Sequence, residues 1–340
     1  MAEESGRSNV DRIRDHSALD DVDATLGEIL GERFVEYRRR WRMAERELVE
    51  FPFPLFLVME TVNTCNYRCI MCFRHSMPAP KPRVMPDDLF ESVMAEAAAH
   101  GCPSLSVNWN NEPLMDPNLV RRVARARESG FVDVRLNTNA SLLDGERSRG
   151  LVRAGLTRLS VSLDAATRET YEAVRVGGNW DRVMGNIEQF LRIRKELGAR
   201  LPLLRVTFVR IRENAHEVDD FVRRWKGVAD YVSIQSYVPH IPGERAMALH
   251  PDVRSHMADI TCSQPFERLV VGVDGDVYPC CSPVGTEIHL GNVRETPLAE
   301  IWRGAMSRRL RTMMRERTWD GFDVCRRCLT GTFGAPGEGA

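Results

Sequence analysis

Between residues 55 and 237, short apolar runs alternate with longer amphipathic ones, and this alternation constrains the fold more than any other feature of the chain. The apolar runs predict buried strands, and the segments between them predict helices. The predicted strands lie at 55–63, 104–109, 132–137, 158–163, 203–209 and 230–237. Strands that alternate with helices form βαβ units and a parallel sheet. Since about six units fit, too few for a closed eight-stranded barrel, we predict an α/β protein with an open, partial (βα)6 TIM-like barrel.

Both ends of the chain depart from this alternation. From about Asp20 to Leu48, apolar residues recur at helical spacing and predict one or two helices. Near the other end, Asp274-Gly275 joins two β-rich runs and predicts a hairpin, which a short helix near 297–315 follows. We therefore predict a helical N-terminal extension, the partial barrel and a small C-terminal domain of hairpin plus helix. The bounds of these three regions are 1–50, 51–242 and 243–340.

The composition argues against several classes of protein. Of the 340 residues, 43% are hydrophobic, enough for a substantial core, and the formal net charge of −1 offers no basic excess for nucleic acid. No apolar run approaches the roughly 20 residues that span a bilayer. The first residues are too acidic, and lack the apolar core, for a targeting peptide. We therefore expect a cytoplasmic protein whose partners include neither nucleic acid nor a membrane.

Three cysteines, Cys65, Cys69 and Cys72, follow the first predicted strand closely. Thiolates suit iron–sulfur clusters, and because a cubane has four irons, three protein ligands leave one iron open. A structural zinc site would be one ligand short. In parallel sheets of this kind, the catalytic and ligand-binding residues lie at the carboxyl ends of the strands, and these cysteines follow such an end. On spacing alone, a zinc site with a distant fourth ligand and chance clustering stay open as alternatives.

A second group of cysteines lies in the C-terminal region. Cys262 and Cys280 flank the predicted hairpin, and Cys325 and Cys328 form a C-x2-C pair. Four thiolates can close either a zinc site or a 4Fe–4S site, and ligand count alone slightly favours zinc. Cys281 is left over from this set.

The segment TCNYRCIMC, which contains the early cysteines, resembles the cluster loop of the radical S-adenosylmethionine (SAM) superfamily. That loop binds a 4Fe–4S cluster whose open iron chelates the amino and carboxylate groups of SAM. The resemblance covers the chain from about residue 55 to 330. One departure is Met71, where many members have an aromatic residue; Phe73 stands close by.

Segments after the later strands are similar to further motifs of this superfamily. The segment NNEPL resembles GGEPL, which implies that Glu112 holds the amino group of SAM. The segment NTN resembles the TNG segment that lines the cofactor cleft, which includes Asn137. The segment SVSLD resembles the S-x-D motif near the ribose, which implies cofactor contacts for Ser162 and Asp164. Arg175 matches an arginine that pairs with the SAM carboxylate, a role that suits its planar guanidinium.

The C-terminal region resembles the short, "twitch" form of the SPASM domain. This resemblance implies one auxiliary 4Fe–4S cluster bound by Cys262, Cys280, Cys325 and Cys328. A thiol near the cleft could also return a hydrogen atom to a substrate radical, which makes Cys281 a candidate catalytic residue, although a buried residue beside a ligand is the more ordinary interpretation.

The resemblance implies an enzyme that cleaves SAM to a 5′-deoxyadenosyl radical, which abstracts a substrate hydrogen. We expect a dehydrogenase that oxidises a carbinol carbon of a sugar, aminocyclitol or glycoside to a ketone in antibiotic biosynthesis, with flavodoxin or ferredoxin as electron donor. Epimerisation or decarboxylation of a glycoside-type substrate are close alternatives. Peptide modification and a non-catalytic zinc scaffold are more distant ones.

Overall fold

A computed structural model describes residues 13–17, 21–76, 80–237, 261–318 and 321–330. Within these ranges, ten strands form one mixed sheet. The strands are β1 (Ile13–Ser17), β2 (Phe56–Met59), β3 (Ser104–Ser106), β4 (Asp133–Thr138), β5 (Arg158–Ser162), β6 (Leu203–Arg210), β7 (Tyr231–Ser236), β8 (Arg268–Val271), β9 (Asp276–Tyr278) and β10 (Gly291–Asn292). The helices are α1 (Val22–Leu30), α2 (Glu32–Glu47), α3 (Asp87–Ala99), α4 (Leu119–Glu128), α5 (Gly145–Arg153), α6 (Arg168–Val174), α7 (Trp180–Glu196), α8 (Val218–Trp225), α9 (Gln264–Glu267), α10 (Leu298–Trp302), α11 (Ala305–Glu316) and α12 (Asp323–Thr330).

Strands β2 to β7 are the six parallel strands that the sequence predicts. They lie side by side in chain order, and each is parallel to the next. Polar residues before the helices set where several of them begin: the side chains of Asp144, Thr167 and Asn179 accept backbone N–H groups of α5, α6 and α7. The predicted α/β class and the partial (βα)6 barrel are confirmed.

The sheet buries apolar side chains on both faces because successive residues of a strand point to opposite sides. In β2, Leu57 and Met59 join the layer formed with the barrel helices, whereas Phe56 and Val58 join a second layer on the other face. All four are buried, so β2 is a nearly continuous apolar run, as expected for a central parallel strand.

Helices α1 and α2 cover the second face near the amino ends of the strands. Phe34 and Trp41 of α2 are buried in the same layer as Phe56, the first residue of β2, and the Trp41 and Phe56 rings lie 5.9 Å apart. Arg158, the first residue of β5, forms an ion pair of 3.5 Å with Asp23 of α1. The N-terminal helices therefore close the end of the barrel opposite the cysteine loop.

The N-terminal region also contains an element that the sequence does not predict. We predicted helices only from about Asp20 onward, whereas Ile13–Ser17 forms β1 and pairs antiparallel with β7 at the edge of the sheet. The segment IRDHS lacks the apolar alternation of a half-buried strand, so the pairing arises from the open edge of β7 rather than from a local pattern.

The C-terminal hairpin continues the barrel sheet. Strand β8 runs parallel to β2, and β9 and β10 follow it in antiparallel order. Gly275 in the hairpin turn has a φ of +96°, and a Cβ there would lie 2.8 Å from Asn292 Oδ1, so the turn requires glycine. The predicted hairpin is confirmed; among the described residues, α9 precedes it and α10, α11 and α12 follow it. The bounds proposed for the three regions stay a prediction.

The described helices include none that is both long and apolar enough to cross a membrane.

Candidate active site

The early cysteines lie in a loop that leaves β2 at the carboxyl edge of the sheet. Backbone hydrogen bonds hold this loop against the end of α6: Arg68 N donates to Val176 O at 2.8 Å, and Ile70 N donates to Val174 O at 3.0 Å. These bonds fix the cysteine loop against the end of α6, the helix that follows β5.

The thiols of Cys65, Cys69 and Cys72 line one cavity. Burial raises the pKa of the Cys65 thiol to about 11 and also raises that of Cys69. Tyr67 N donates to Cys65 Sγ at 3.5 Å, and Arg175 Nη1 donates to Cys69 Sγ at 3.4 Å, and both contacts favour thiolates. Thiols of this kind lose their protons when a metal binds.

Glu112 lies at the centre of a buried cradle beside the cysteine loop. Its Oε1 accepts hydrogen bonds from Leu114 N at 3.1 Å and from Thr138 Oγ1 at 2.5 Å, and its Oε2 accepts from Asn139 N at 2.7 Å. Burial nevertheless raises the pKa of the Glu112 carboxyl to about 7. A ligand cation beside this carboxylate would offset that cost, as the predicted contact with the SAM amino group requires.

Asp164 and Arg175 form an ion pair in the same cavity. Asp164 has a φ of 60° and its Oδ1 accepts a hydrogen bond from Val209 N at 2.7 Å. Burial raises the pKa of Asp164, although the Arg175 guanidinium opposes this shift. Arg175, predicted to hold the SAM carboxylate, thus has two partners within the chain, Asp164 and Cys69.

The remaining predicted SAM contacts lie at neighbouring strand ends. Asn137 in β4 is exposed to the cavity, and its N–H donates to Asn108 Oδ1 at 2.9 Å. Ser162 ends β5 and lines the same cavity. The structure thus brings together all eight residues predicted for the first cluster and for SAM, while their individual roles stay predictions.

The lining of the cavity offers the groups that a 4Fe–4S cluster and SAM need, namely three thiols and buried charged side chains. The cavity volume is about 310 Å³, within the range of small-molecule sites. Two buried polar atoms beside it, Asn111 Nδ2 and Arg175 Nε, have no hydrogen-bond partner and could serve a polar ligand. Among the described side chains, no three or more His, Cys, Asp or Glu residues are placed to hold one metal ion. A cubane is a larger body than one ion, so its thiolates stand farther apart.

The later cysteines line a second, much smaller cavity. Cys262 precedes α9, Cys280 follows β9, and Cys325 and Cys328 lie in α12. The volume is about 50 Å³. Burial raises the pKa of the Cys325 thiol to about 12 and raises that of Cys262 and Cys280 as well. The other lining residues are mostly apolar and include Pro265, Ile288, Leu310, Met314, Val324 and Leu329. The fold therefore gathers the four predicted ligands from three segments.

Cys281 lines neither of the two described cysteine cavities. Its Sγ lies 3.2 Å from Gln264 Oε1 and 3.6 Å from Arg268 Nη1, and its side chain is absent from the described linings of both. Its carbonyl oxygen accepts a hydrogen bond of 2.9 Å from Trp109 Nε1. The hydrogen-donor role of Cys281 stays a prediction. The thiol contacts Gln264 and Arg268.

Sequence reasoning missed two residues that line the SAM cavity or the cavity next to it, Trp109 and Glu60. Trp109 and Arg74 line the SAM cavity, and Glu60 lies beyond them. Glu60 carried a usable signal, because it is the one charged residue in the apolar run LFLVMETVN. Trp109 lies next to a recognised motif, and nothing in its local sequence indicates that it faces the cavity.

Two family profiles match the chain. Residues 59–224 match the radical SAM superfamily, and residues 262–329 match SPASM, an iron–sulfur cluster-binding domain. The first match contains the three early cysteines, and the second contains the four that line the small cavity.

Curated relatives bear the name GTP 3′,8-cyclase. The probable GTP 3′,8-cyclase of Methanococcus maripaludis (strain C5 / ATCC BAA-1333) is 24% identical over 214 residues, which cover 63% of this chain and 65% of the relative. The GTP 3′,8-cyclase of Limosilactobacillus fermentum is 30% identical over 135 residues, or 39% of this chain and 40% of the relative. The chain thus spans less than two thirds of the length of these relatives.

Solved structures share the fold. BtrN in complex with AdoMet and 2-DOIA has a TM-score of 0.55 at 18% identity, and the match covers 82% of this chain and 94% of BtrN. Native anSMEcpe with bound AdoMet has a TM-score of 0.60 at 16% identity, with coverage of 82% and 90%. Streptococcus suis SuiB bound to precursor peptide SuiA has a TM-score of 0.62 at 14% identity, with coverage of 82% and 70%.

Proposed function

Because the chain belongs to the radical SAM superfamily and carries an iron–sulfur cluster-binding SPASM domain, we propose that it is an oxidoreductase that converts a secondary alcohol of a sugar, aminocyclitol or glycoside to a ketone. Its cofactors are SAM and 4Fe–4S clusters. When bound, these cofactors would supply a 5′-deoxyadenosyl radical to take a hydrogen atom from the carbinol carbon and a second redox centre to take one electron, while the hydroxyl proton would leave to solvent.

The contact between the two cysteine regions carries this proposal. Trp109 follows β3 and forms part of the wall of the SAM cavity. Its indole N–H donates to the carbonyl of Cys281, the residue next to the predicted cluster ligand Cys280. A redox centre that lies against the wall of the reaction cavity favours a reaction in which the substrate loses a second electron.

The side chains of the cavity hold the cofactor in this proposal. Glu112 accepts hydrogen bonds from the ammonium group of SAM, a charge-assisted contact that favours its ionised form. Arg175 provides the positive charge for the SAM carboxylate while it stays paired with Asp164. Asn137 and Ser162 contact the nucleoside part of SAM from the neighbouring strand ends.

Epimerisation and decarboxylation of a glycoside stay as alternatives on the same scaffold. An epimerase needs a hydrogen donor that faces the substrate radical. The Cys281 thiol instead faces Gln264 and Arg268, which supports oxidation over epimerisation. Modification of a peptide is the alternative suggested by SuiB, whose structure contains a precursor peptide.

Cyclisation of GTP is the activity that the names of the curated relatives suggest. GTP carries a triphosphate and needs a strongly basic cavity. The described lining of the cavity next to the SAM site contains the carboxylates of Glu60, Asp274 and Asp276 but a single guanidinium, from Arg74. This acidic lining favours a neutral or cationic substrate over a nucleotide.

A reconstitution experiment tests the proposal. The protein would be loaded anaerobically with iron and sulfide, reduced through flavodoxin or ferredoxin as the proposed electron donor, and incubated with SAM and a panel of aminocyclitols and glycosides. We expect 5′-deoxyadenosine and a ketone, detected as the loss of two hydrogens by mass spectrometry, in equal amounts. Bound zinc without SAM cleavage would contradict the proposal, and an inverted alcohol or released carbon dioxide would favour the alternatives.

A further inference from the structure

A second cavity adjoins the SAM cavity, between the cysteine loop and the β8–β9 hairpin. Its volume is about 280 Å³. The two cavities share four lining residues, Phe73, Arg74, Trp109 and Asn110. A molecule in the second cavity would therefore lie beside bound SAM. The volume is just below the usual range of small-molecule sites, about 300–1,000 Å³, and therefore suits a molecule with one ring.

Glu60 is the most deeply buried charged group of this second cavity. It follows β2 directly, and 8% of its surface is exposed. No described side chain donates a hydrogen bond to its carboxylate; the groups that stabilise its charge are the backbone N–H groups of Asn110 and Val273 and the charge of Arg74. Burial outweighs them and raises the pKa of Glu60 to about 7. A buried carboxylate without a cation in contact is costly, and such groups concentrate at functional sites.

Arg74 offsets only part of the negative charge of this cavity, because it lines the cavity without a hydrogen bond to Glu60. Its Nη2 donates to Asn63 O at 2.8 Å and its Nη1 donates to Asn110 O, so the guanidinium binds backbone carbonyls. Among the described residues, Arg74 acts on Glu60 through its charge, without a hydrogen bond to the carboxylate.

The rim of the cavity adds acidic and aromatic groups. Asp274 and Asp276 contribute carboxylates that already have partners within the chain. Asp274 forms an ion pair with Arg83, and Asp276 Oδ1 accepts a hydrogen bond of 2.9 Å from Asn292 Nδ2. The rings of Trp109 and Tyr278 lie 5.3 Å apart at an angle of 34° and form one wall. Carboxylates together with aromatic faces are the groups that recognise an organic cation.

We propose that this cavity is the substrate site and that it binds a single-ring amino sugar or aminocyclitol through a protonated amine held by Glu60. The inference rests on the proposed function, and it narrows the substrate to an amino-bearing molecule. Trp109 and Tyr278 contribute cation–π contacts, and the opening towards the SAM cavity presents a ring carbon to the cofactor.

Binding measurements with a matched set of ring molecules test this inference. The probes are scyllo-inositol, scyllo-inosamine and streptamine, which share one ring geometry and carry no, one and two amines. Isothermal titration calorimetry would use the anaerobic holoenzyme with SAM present. We expect scyllo-inosamine to bind at least about ten-fold more tightly than scyllo-inositol, as a hydrogen-bonded charge pair predicts. Amines that bind no more tightly than scyllo-inositol, or that do not bind at all, would overturn the inference.

The Glu60→Gln variant tests whether the Glu60 carboxylate causes the tighter binding of amines than of scyllo-inositol. We expect it to lose most of the preference for amines while its affinity for scyllo-inositol changes by less than about two-fold. Asp274→Asn is the matched control, because Asp274 is half exposed and paired with Arg83, and we expect a smaller loss. An unchanged amine preference in Glu60→Gln would contradict the assignment. Formation of 5′-deoxyadenosine by the wild type, measured in the same samples, reports separately on the proposed function.

Discussion

The two cysteine regions, each predicted to hold an iron–sulfur cluster, differ in the surroundings of their thiols. In the first, three cysteines from one loop line a cavity of about 310 Å³ that also contains Glu112, Asp164 and Arg175. In the second, four cysteines from three segments enclose about 50 Å³ among apolar side chains. The first has space and charged groups for a ligand beside the cluster. The second has neither, as we expect if its four cysteines coordinate every iron of a cluster.

This difference indicates how one chain divides the two tasks of the proposed reaction. A cluster with an open iron binds the cofactor that starts the radical chemistry, so its surroundings must be polar and accessible. A closed cluster exchanges only electrons, so its surroundings can be apolar. The parallel pairing of β2 with β8 places both regions on one sheet, and Trp109 joins them.

Loss of a ligand in the first region should have the largest effect. In Cys69→Ala, the loop keeps two thiols, and we expect no detectable 5′-deoxyadenosine and a fall in iron from about eight to about four per chain. Iron and sulfide analysis with product chromatography checks both. Cys102→Ala is the control, because Cys102 is buried beside Ser104 away from both cavities, and it should keep about eight irons. Detectable SAM cleavage by Cys69→Ala would contradict the open-cluster interpretation.

Loss of a ligand in the second region should separate SAM cleavage from substrate oxidation. In Cys328→Ala, we expect about four irons to remain, with 5′-deoxyadenosine still formed but the ketone absent, because the second electron has no acceptor. The ratio of the two products, measured in one assay, is the readout. A variant that makes both in equal amounts would show that the second region is structural.

The ionised Glu60 carboxylate should lower the free energy of unfolding, and this cost should grow between pH 4.5 and about pH 7. A carboxyl whose pKa rises from 4.5 unfolded to about 7 folded binds more protons in the folded state, so stability falls as pH rises between those values. Burial is the main cause of this rise in pKa; the charge of Arg74 opposes it, and the charge of Asp274 adds slightly to it. Relative to wild type, Glu60→Gln should therefore gain up to about 3 kcal/mol in free energy of unfolding at pH 8 and little at pH 4. Chemical denaturation at both values checks this, and an equal difference at both would contradict it.

Neutralising Glu112 should weaken SAM binding without removing either cluster. Glu112→Gln keeps the shape of the cradle but loses the charge that faces the SAM amino group. We expect the dissociation constant for SAM to rise about ten- to hundred-fold, as for loss of a charged hydrogen bond, with iron content unchanged. Equilibrium dialysis with SAM provides the measurement. Wild-type affinity in this variant would remove Glu112 from the SAM site.

The smallest effect should come from Cys281, which lies between the two regions. Its thiol faces Gln264 and Arg268, so Cys281→Ala should form the same ketone at a rate within about two-fold of wild type. Product analysis by chromatography and mass spectrometry checks this. Loss of an inverted product and appearance of a ketone only in the variant would instead support an epimerase with Cys281 as hydrogen donor.

The sequence was sufficient for the elements and for the polar residues at the strand ends. The strands from β2 to β7 carry strong local patterns, and Glu112, Asn137 and Ser162 follow or end strands whose order along the chain is also their order in space. The pairing of β8 with β2 depends on contacts between residues about 210 positions apart, and no local pattern encodes it. The second cavity arises from that pairing. Its lining residues, such as Glu60 and Tyr278, therefore could not be assigned to one site before the structure was known.

Electron paramagnetic resonance of the reduced protein, with and without SAM, tests the division between the two regions most directly. The samples would be the wild type, the triple variant Cys65→Ala/Cys69→Ala/Cys72→Ala and the double variant Cys325→Ala/Cys328→Ala. We predict that SAM changes the spectrum of the wild type and of the double variant but leaves that of the triple variant unchanged. A SAM-dependent change in the triple variant, or none in the double variant, would contradict the assignment of the open cluster to the loop after β2.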